Sequence, residues 1–365
     1  MQVPDYNHSI LNVTASILKH YKAPTPYKTL PLIEEALVDK HHVVLVLLDG
    51  MGVNILYKHL FKDAFLLKHL KDVITSVFPP TTVAATTTVL SGLPPYVSGH
   101  LGWVQYFPKE DAMISLFPNQ DFYDPKRKID MNFKDKYLKY TSIYEQIKRG
   151  SPNISLNELF PNFREDGYQS FKDQVDRVIS ITRSKERSFT YVYWTEPDLT
   201  EHQFGVDAFE TRKVLYDLDQ ELERMAFFSA RGTAIIVIAD HGLVDVNDVA
   251  LFDDLELMDM MRKKPAIEAR ATTFYVKHNE HKRFKELFET RYGKHFTLLS
   301  KSEILEKKLL GEGKKHRMID HFLGDFMSIA TSNQMMRLSN DRSFLAHHAG
   351  LTKEELEVPL ILFTK

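Results

Sequence analysis

Three apolar runs of this chain each end in an aspartate, and this repeated ending constrains the fold more than any other feature. The runs cover residues 42–48, 189–194 and 233–239. Asp49 and Asp240 follow the first and third runs directly, and Asp198 follows the second after a short turn. In an open parallel sheet, ligands bind outside the carboxyl ends of the strands. The pattern therefore predicts three buried parallel strands that carry acidic side chains to one edge of a sheet.

Histidines accompany two of these aspartates. His241 follows Asp240 directly, and Gly242 leaves the backbone free to turn so that both side chains can reach one ion. His202 lies four residues after Asp198, which places both on one face if a helical turn begins there. The chain has no cysteine, so carboxylates and imidazoles are its strong ligands, a set that suits zinc or manganese. These residues predict a metalloenzyme.

The composition limits the classes of partner. With 365 residues, of which 43% are hydrophobic, the chain is long enough to form one large core and a smaller second unit. The net charge of -2 argues against broad affinity for nucleic-acid polymers or anionic membranes. The N-terminal segment lacks a basic region followed by an apolar run, and nowhere do about 18 apolar residues follow one another. We expect a cytoplasmic protein without membrane partners, and the sequence leaves its oligomeric state open.

Short β-rich runs alternate with helical patterns, which predicts an α/β fold with a mostly parallel central sheet and helices on both faces. A helix between the second and third strands is indicated by apolar residues three and four positions apart: Leu215, Leu218, Leu222 and Met225. The last strand is expected at residues 358–363, after a short helix whose Thr352 and Glu355 have the spacing of a capping box.

A stretch rich in lysine and glutamate, residues 252–322, differs in character from its surroundings. Its pattern predicts a strand, a helix and a second strand at residues 272–276, 280–292 and 296–299. Ser300 and Glu303 then have the spacing of another capping box. We expect a small inserted α+β subdomain here, and a catalytic core built from residues 1–251 and 323–365.

A second chemical feature is the segment FPPTT at residues 78–82. Its prolines favour an extended approach, and a short helix is expected to run from the threonines to Gly92. Such a threonine is commonly an ordinary N-cap. A hydroxyl at this position also lies beside free backbone N–H groups and the positive end of the helix dipole, where a phosphate is held and an alkoxide favoured. For Thr86, Thr87 and Thr88, deeper in the helix, we expect packing or hydrogen bonds to helix carbonyls.

Six motifs, in this order, carry a family resemblance. They are LLDG at 47–50, VFPPTT at 77–82, LSGLPP at 90–95, EPD at 196–198 with His202, ADHG at 239–242, and HAGLT at 348–352 before VPLI at 358–361. The set resembles the alkaline phosphatase superfamily, and within it the branch of type I phosphodiesterases and nucleotide pyrophosphatases that includes cytoplasmic bacterial members. The resemblance runs from about residue 42 to the C-terminus.

The resemblance implies two divalent metal ions, usually zinc, with manganese as the alternative. Matched residue by residue, the ligands of the ion that activates the nucleophile are Asp49, Thr82, Asp240 and His241. Those of the other ion are Asp198, His202 and His348. The family register, counted back from residues 91–93, makes Thr82 rather than Thr81 the nucleophile, and the HAGLT motif favours His348 over His347.

The implied activity is hydrolysis of a phosphodiester or pyrophosphate bond in a small, soluble, nucleotide-like phosphate ester. One ion would activate the Thr82 hydroxyl, the other would bind a phosphoryl oxygen and the leaving group, and the pair would clamp an in-line displacement. A phosphothreonine would form and then be hydrolysed. The alternatives are a phosphomonoesterase or phosphomutase of the same superfamily, and a non-catalytic protein that binds metal or phosphate.

One position departs from the eukaryotic nucleotide pyrophosphatases. They carry an asparagine three residues after the nucleophilic threonine, whose amide helps bind the phosphoryl oxygen, whereas this chain has Ala85. Loss of one such donor typically costs about 3 kcal/mol of transition-state stabilisation, so the preference for diesters is left open. Glu268 and Arg270 are possible substrate contacts. The histidines not expected to bind metal are His41, His42 and His100, and the basic run at 307–317 is expected to be solvated surface.

Overall fold

The computed structural model describes residues 2–339 and 344–365. Two sheets organise the fold. The strands are β1 (His42–Leu48), β2 (Leu70–Thr75), β3 (Val104–Phe107), β4 (Ala112–Ser115), β5 (Gln120–Asp121), β6 (Ser155–Leu159), β7 (Ser188–Trp194), β8 (Thr233–Ile238), β9 (Val244–Asp245), β10 (Asn247–Val249), β11 (Met261–Ile267), β12 (Ala271–Val276), β13 (Phe296–Ser300), β14 (Phe326–Ala330), β15 (Gln334–Met336), β16 (Ala346–His347) and β17 (Glu357–Thr364).

Helices connect most of these strands. They are α1 (Ile10–His20), α2 (Pro31–Leu37), α3 (Val53–His59), α4 (Phe65–His69), α5 (Thr82–Ser91), α6 (Pro95–Ser98), α7 (Phe133–Tyr137), α8 (Ile143–Gly150), α9 (Phe171–Thr182), α10 (Asp198–Phe204), α11 (Phe209–Phe228), α12 (Leu255–Asp259), α13 (His281–Tyr292), α14 (Lys301–Glu306), α15 (Ile319–Phe322) and α16 (Lys353–Leu356). Short 3-10 helices lie at Leu251–Asp253 and His278–Glu280. Within the described residues, no helix combines the length and apolar character that a membrane span requires.

The central sheet has the strand order β2, β17, β8, β1, β7, β6. β1 runs parallel to β7 and β8, and β6 runs parallel to β7, whereas β17 is antiparallel to both of its neighbours. Every residue of β1 is buried, because both faces of the sheet are covered, and this explains the unbroken apolar sequence of the strand. The predicted fold class is confirmed. The three predicted strands lie side by side as β8, β1 and β7, so their carboxyl ends meet at one edge.

The helices pack on this sheet in two groups. α1 contacts α2, α5 and α8, and α11 contacts α3, α4, α9 and α10. The predicted helix between the second and third strands is confirmed as α11, which buries its apolar stripe of Leu215, Leu218, Leu222 and Met225. The predicted last strand is confirmed as β17. It follows α16, where Thr352 and Glu355 form the expected capping box.

A second sheet of seven antiparallel strands has the order β13, β14, β12, β11, β3, β4, β5. The elements predicted within residues 252–322 are present as β12, α13 and β13, with a capping box at Ser300. The sheet also takes in β3–β5 and β14 from outside that stretch, because apolar side chains of both regions share one core; examples are Phe107, Ile114, Ile267 and Ile329. The sheet therefore extends beyond the expected insert, and the domain boundaries at 252 and 322 stay a prediction.

A buried ion pair ties the second sheet to the last helix of the chain. Arg270, just before β12, donates from Nε and Nη2 to the two carboxylate oxygens of Glu355 at 2.6 and 2.8 Å. Both side chains are fully buried. Glu355 also accepts hydrogen bonds from the backbone N–H groups of Gly350 and Thr352, so the pair has few unsatisfied groups. Arg270 therefore makes a structural contact, whereas the sequence analysis considered it a possible substrate contact.

Replacing Arg270 by methionine should strongly destabilise the protein, since it leaves the Glu355 carboxylate buried without its partner. Removing one member of a buried pair typically costs about 3–5 kcal/mol. Urea unfolding measures the change, with the exposed neighbour Glu354→Ala as the control. The double variant Arg270→Met, Glu355→Gln should recover part of the loss because no buried charge remains. A loss below about 1 kcal/mol for Arg270→Met, the range of an exposed ion pair, would contradict this interpretation.

Candidate metal centre and active site

The first cluster of potential ligands lies where β1 and β8 end. Asp49 directly follows β1, and Asp240 and His241 follow β8, with one ligand atom of each within 4.8 Å of the others. His241 Nε2 is 3.4 Å from Asp49 Oδ1 and 3.5 Å from Asp240 Oδ2. The backbone N–H groups of Gly50 and His241 donate to Asp240 Oδ1, each at 3.0 Å. These bonds hold the Asp240 carboxylate so that Oδ2 faces the cluster.

The second cluster combines Asp198, His202 and His348, again with ligand atoms within 4.8 Å of one another. Asp198 is the first residue of α10, and His202 Nε2 lies 3.3 Å from Asp198 Oδ1 on the same helix face. His348 Nε2 lies 3.8 Å from that oxygen. His202 Nδ1 is 2.7 Å from the carbonyl oxygen of Ala346. A ring nitrogen that donates to a carbonyl leaves the other nitrogen free to bind a metal.

The two clusters are neighbours. The rings of His241 and His348 stack with their centroids 3.8 Å apart. Antiparallel pairing of β9 with β16 holds the segment before His348 against the segment after His241. Gly50, with φ +76°, brings the end of β1 onto Asp198, since a Cβ added at Gly50 would lie 2.8 Å from Asp198 Cα. The structure thus brings all six predicted carboxylate and imidazole ligands together at the carboxyl ends of the central strands.

The threonine pair lies at the N-terminus of α5. Thr82 is the first helical residue, and its Oγ1 is 3.2 Å from His241 Nε2 and 3.4 Å from Asp49 Oδ1. Thr81 occupies the N-cap position, and its hydroxyl points elsewhere and donates to Glu268 Oε1 at 2.7 Å. The first N–H groups of α5 have no partner within the helix, so they can bind a phosphoryl oxygen beside Thr82.

The charges of these clusters favour a bound cation. Burial raises the pKa of Asp49 well above its ordinary value, and the carboxylates of Asp240 and Asp198 raise it further. Burial lowers the pKa of His348 well below its ordinary value, so this imidazole is neutral, the form that binds metals. Asp198 Oδ1 and Asp240 Oδ2 are buried without a hydrogen-bond partner. Unsatisfied carboxylate oxygens beside imidazole nitrogens fit divalent cations such as zinc or manganese.

A cavity of about 1060 Å³ opens beside Thr82. Two groups of its lining residues each combine aromatic rings with a cation: the Trp103 group (Trp103, Phe117 and Lys134) and the Phe160 group (Phe160, Phe163 and Arg164). The rings of Trp103 and Phe117 meet edge to face at 5.7 Å, and Lys134 Nζ lies 5.4 Å from the Phe117 centroid. The guanidinium carbon of Arg164 lies 3.8 Å from the Phe160 centroid. The cavity therefore offers flat apolar surfaces together with positive charge.

The sequence did not predict some residues of the site. Tyr193, near the end of β7, donates its hydroxyl to Asp49 Oδ2. The sequence could have indicated this contact, because Tyr193 lies near the end of a buried strand and a buried tyrosine hydroxyl needs a hydrogen-bond partner. Lys134 and Arg164 lie in segments without a recognisable motif, and only the folded chain brings them to the cavity.

Several other sequence-based expectations concern residues near the site. His347 is buried, its Nδ1 accepts from the His348 N–H at 2.9 Å, and it is not a member of either ligand cluster. His100 lines the cavity, and burial lowers its pKa to about 3.

The hydroxyls of Thr86 and Thr88 donate to helix carbonyls, as predicted. Most of the basic run at 307–317 is exposed.

Comparison with known proteins decides the family. Residues 43–343 match the family described as type I phosphodiesterase / nucleotide pyrophosphatase. The chain belongs to this family. The resemblance to the alkaline phosphatase superfamily seen in the sequence is thereby confirmed. Proteins of this family are phosphoester hydrolases, so the enzyme class predicted from the sequence agrees with the family.

A curated relative shares part of the chain. Ectonucleotide pyrophosphatase/phosphodiesterase family member 1 of Homo sapiens is 24% identical over 182 residues, which cover 46% of this chain and 19% of the human protein. The matched part therefore spans about a fifth of the length of that relative.

Solved structures share the fold. Human ectonucleotide pyrophosphatase/phosphodiesterase 5 superposes with a TM-score of 0.66 at 16% identity, covering 88% of this chain and 87% of the human chain. The murine protein gives a TM-score of 0.63 at 20% identity, covering 88% of each chain. Phosphonoacetate hydrolase from Sinorhizobium meliloti 1021 gives 0.62 at 17% identity, covering 87% of this chain and 89% of the hydrolase. These likenesses agree with the α/β architecture described above.

The raised pKa of Asp49 gives a pH-dependent prediction for the metal-free protein. A carboxyl whose pKa is raised by folding contributes stability below its ordinary value of 3.8, and loses it as the pH rises through the higher value in the folded state. We therefore expect this carboxyl to lower the melting temperature increasingly as the pH rises above its ordinary pKa value of 3.8. Zinc or manganese should reverse this fall, because the folded state alone provides the complete ligand set.

The variant Asp49→Asn isolates this contribution. It should be more stable than the wild type when metal-free at about pH 8, by on the order of 1–3 kcal/mol, and should respond less to added metal. Asp219→Asn is a matched control, since burial also raises the pKa of Asp219 but this residue caps α4 by bonding Phe65 and Leu66. Thermal melts that show equal metal responses in both variants would contradict the assignment of Asp49 as a ligand.

Proposed function

We propose that the chain is a two-metal-dependent phosphohydrolase that cleaves a phosphodiester or pyrophosphate bond of a small soluble ester, with Thr82 as the nucleophile. The observation that carries the proposal is the direction of the Thr82 hydroxyl. Its oxygen lies 3.2 Å from His241 Nε2 and 3.4 Å from Asp49 Oδ1. Thr81 occupies the N-cap of α5, so Thr82 is free of a capping role, and its hydroxyl faces the acid and imidazole side chains.

The six clustered side chains divide into two ligand sets. Asp49, Asp240 and His241 would hold one divalent ion beside Thr82. Asp198, His202 and His348 would hold the second. Bound there, the ions supply Lewis acidity that favours the Thr82 alkoxide and offsets charge on the phosphoryl oxygens. Oxygen and nitrogen ligands without cysteine favour zinc, with manganese as the alternative. The identity of the metal and a cytoplasmic location stay predictions.

The reaction follows from the position of Thr82. Its Oγ1 attacks phosphorus, the bond from phosphorus to the leaving oxygen breaks, and the leaving group departs on the opposite side. The threonine proton passes to solvent, and the leaving oxygen takes up a proton in turn. Water then cleaves the phosphothreonine, which restores the hydroxyl and releases the phosphorylated product. The free N–H groups of α5 bind a phosphoryl oxygen. Tyr193 holds the Asp49 carboxylate in place.

The cavity supports a substrate with a planar part and more than one negative charge, such as a nucleotide ester. The Trp103 group and the Phe160 group provide aromatic faces for stacking, and their Lys134 and Arg164 provide charge-assisted hydrogen bonds. Similar structures contain small anions of this kind, AMP in murine ectonucleotide pyrophosphatase/phosphodiesterase 5 and phosphonoacetate in the bacterial hydrolase. Ala85 offers no amide to the substrate, so the contact to the phosphoryl oxygen falls to the N–H groups of α5.

Replacing Thr82 by alanine should lower kcat at least about a thousandfold, because the nucleophile is removed while six metal ligands remain. Metal content, measured by inductively coupled plasma mass spectrometry, should be largely unchanged. Thr81→Val is the matched comparison, and it should keep far more activity. Near-normal turnover of Thr82→Ala with an inactive Thr81→Val would show that the nucleophile is one residue away.

The same assay tests the substrate class. The turnover of wild-type protein loaded with zinc or manganese is measured on three substrates. They are bis-p-nitrophenyl phosphate, p-nitrophenyl phosphate and the p-nitrophenyl ester of a nucleoside 5′-monophosphate. We expect the two diesters to be cleaved faster than the monoester. The opposite order would favour a phosphomonoesterase, and no turnover with metal bound would favour a non-catalytic binding protein.

Arg164→Ala should raise KM for the nucleoside ester roughly five- to tenfold, since one charge-assisted contact is lost. KM for bis-p-nitrophenyl phosphate should change less, because this smaller diester reaches less of the cavity. Arg149→Ala, an exposed arginine on α8, is the control. Equal effects of Arg164→Ala on both substrates would argue against the Phe160 group as the part of the cavity that binds the nucleoside.

A further inference from the structure

Glu268 connects two parts of the active site that are distant in the sequence. It lies in the turn between β11 and β12 and is 5% exposed. Its Oε1 accepts one hydrogen bond from the Thr81 hydroxyl and another from the Trp103 backbone N–H, each at 2.7 Å. One carboxylate oxygen thus holds both the N-cap of the nucleophile helix and a wall of the substrate cavity.

The backbone before Glu268 is strained. Ile267 has φ +77°, a left-handed conformation that a β-branched residue rarely adopts. Such residues cost about 1–3 kcal/mol and persist only where the surrounding structure determines them. Here Ile267 pairs with Val104 of β3 and with Thr272 of β12, and the Thr272 hydroxyl donates to the Glu268 carbonyl at 2.7 Å. These contacts direct the Glu268 side chain toward α5.

A glycine makes room for this carboxylate. A Cβ added at Gly102 would lie 2.8 Å from Ile267 Cγ2, 3.0 Å from Glu268 Cγ and 3.1 Å from Glu268 Oε1. The first of these distances is shorter than real side chains allow. The segment that carries Trp103 can therefore approach Glu268 only because its preceding residue lacks a side chain.

We propose that Glu268 is a positioning residue that sets the first turn of α5, and with it the Thr82 hydroxyl, relative to the Trp103 group of the substrate cavity. The second sheet thereby aligns Thr82 with the part of the cavity that the Trp103 group lines. This inference rests on the proposed function, because it assigns an alignment between Thr82 and a bound ester. Glu268 acts through Thr81 and the Trp103 backbone.

The first test uses the metal-loaded protein and the nucleoside ester. Glu268→Ala should lower kcat about ten- to a hundredfold, since small misplacement of a reacting group has effects of this size. Glu268→Gln should restore most of the activity, because its carbonyl oxygen can accept both bonds. Burial raises the pKa of the Glu268 carboxyl to about 7, and the neutral amide of Gln avoids this cost of burying a charge.

A double-mutant cycle identifies the contact. If Glu268 acts through Thr81, then Thr81→Val should lower kcat in the wild type but add little in the Glu268→Ala background. Thr88→Val is the matched control in α5, since the Thr88 hydroxyl donates to the Ala84 carbonyl of its own helix. Fully additive losses, or Glu268→Gln as inactive as Glu268→Ala, would overturn the proposal.

A spectroscopic measurement separates positioning from general stability. The chain has two tryptophans, so Trp194→Phe leaves Trp103 as the sole reporter. In this background Glu268→Ala should lower the fluorescence anisotropy of Trp103, because its backbone loses an anchor. Asp325→Ala is the control: Asp325 is a partly buried carboxylate at the other end of β12, where it accepts from the Val276 N–H at 2.8 Å. If Glu268→Ala and Asp325→Ala change the anisotropy and kcat equally, Glu268 has a general structural role and the positioning role is wrong.

The two proposals fail in different ways. Absence of turnover in metal-loaded wild type contradicts the proposed function, whatever the Glu268 variants do. Normal turnover in the wild type together with an unchanged kcat in Glu268→Ala contradicts the positioning role alone. The Trp103 anisotropy does not depend on turnover, so it decides in either case whether Glu268 holds this wall of the cavity.

Discussion

Repulsion among three buried carboxylates is the constraint on which the rest of this structure depends. Asp49, Asp240 and Asp198 follow neighbouring strands and are 3%, 0% and 7% exposed. Carboxylates so close and so poorly solvated oppose one another's ionisation, and the fold tolerates them where a counter-charge can bind. The neutral His348 imidazole and the unsatisfied carboxylate oxygens of Asp198 and Asp240 make each cluster a candidate site for a divalent cation. The proposed chemistry and the pH-dependent stability predicted for the metal-free protein would thus have the same origin.

The second sheet completes this edge of the central sheet. Its strands come from both sides of the expected insert, and it reaches the core through two carboxylates. Glu355 pairs with Arg270 and supports the turn after His348, and Glu268 bonds to Thr81 and the Trp103 backbone. A parallel sheet presents the side chains at its strand ends from one direction, so an independent support is needed to place α5 and the cavity walls against them. The second sheet supplies that support.

Local chemistry accounts for what the sequence predicted well. Continuous apolar runs indicate strands buried on both faces, and β1, β7 and β8 lie where these runs are. The residues directly after such strands must lie at the sheet edge, which is why Asp49, Asp240 and His241 could be placed together. The i, i+4 spacing of Asp198 and His202 is a property of one helical turn, and α10 realises it. Each of these inferences uses only neighbours along the chain.

The sequence by itself therefore determined the strand edge, the acidic and imidazole side chains that lie on it and the helix that begins at Thr82, because covalent spacing and periodicity set them. Tertiary structure alone decided which distant groups complete the site. Lys134 and Arg164 reach the cavity, Glu268 turns to Thr81, and Arg270 turns to a buried carboxylate instead of a substrate. These outcomes depend on the packing of the second sheet against the central one. Contacts between residues far apart in the chain leave no periodic trace in the sequence.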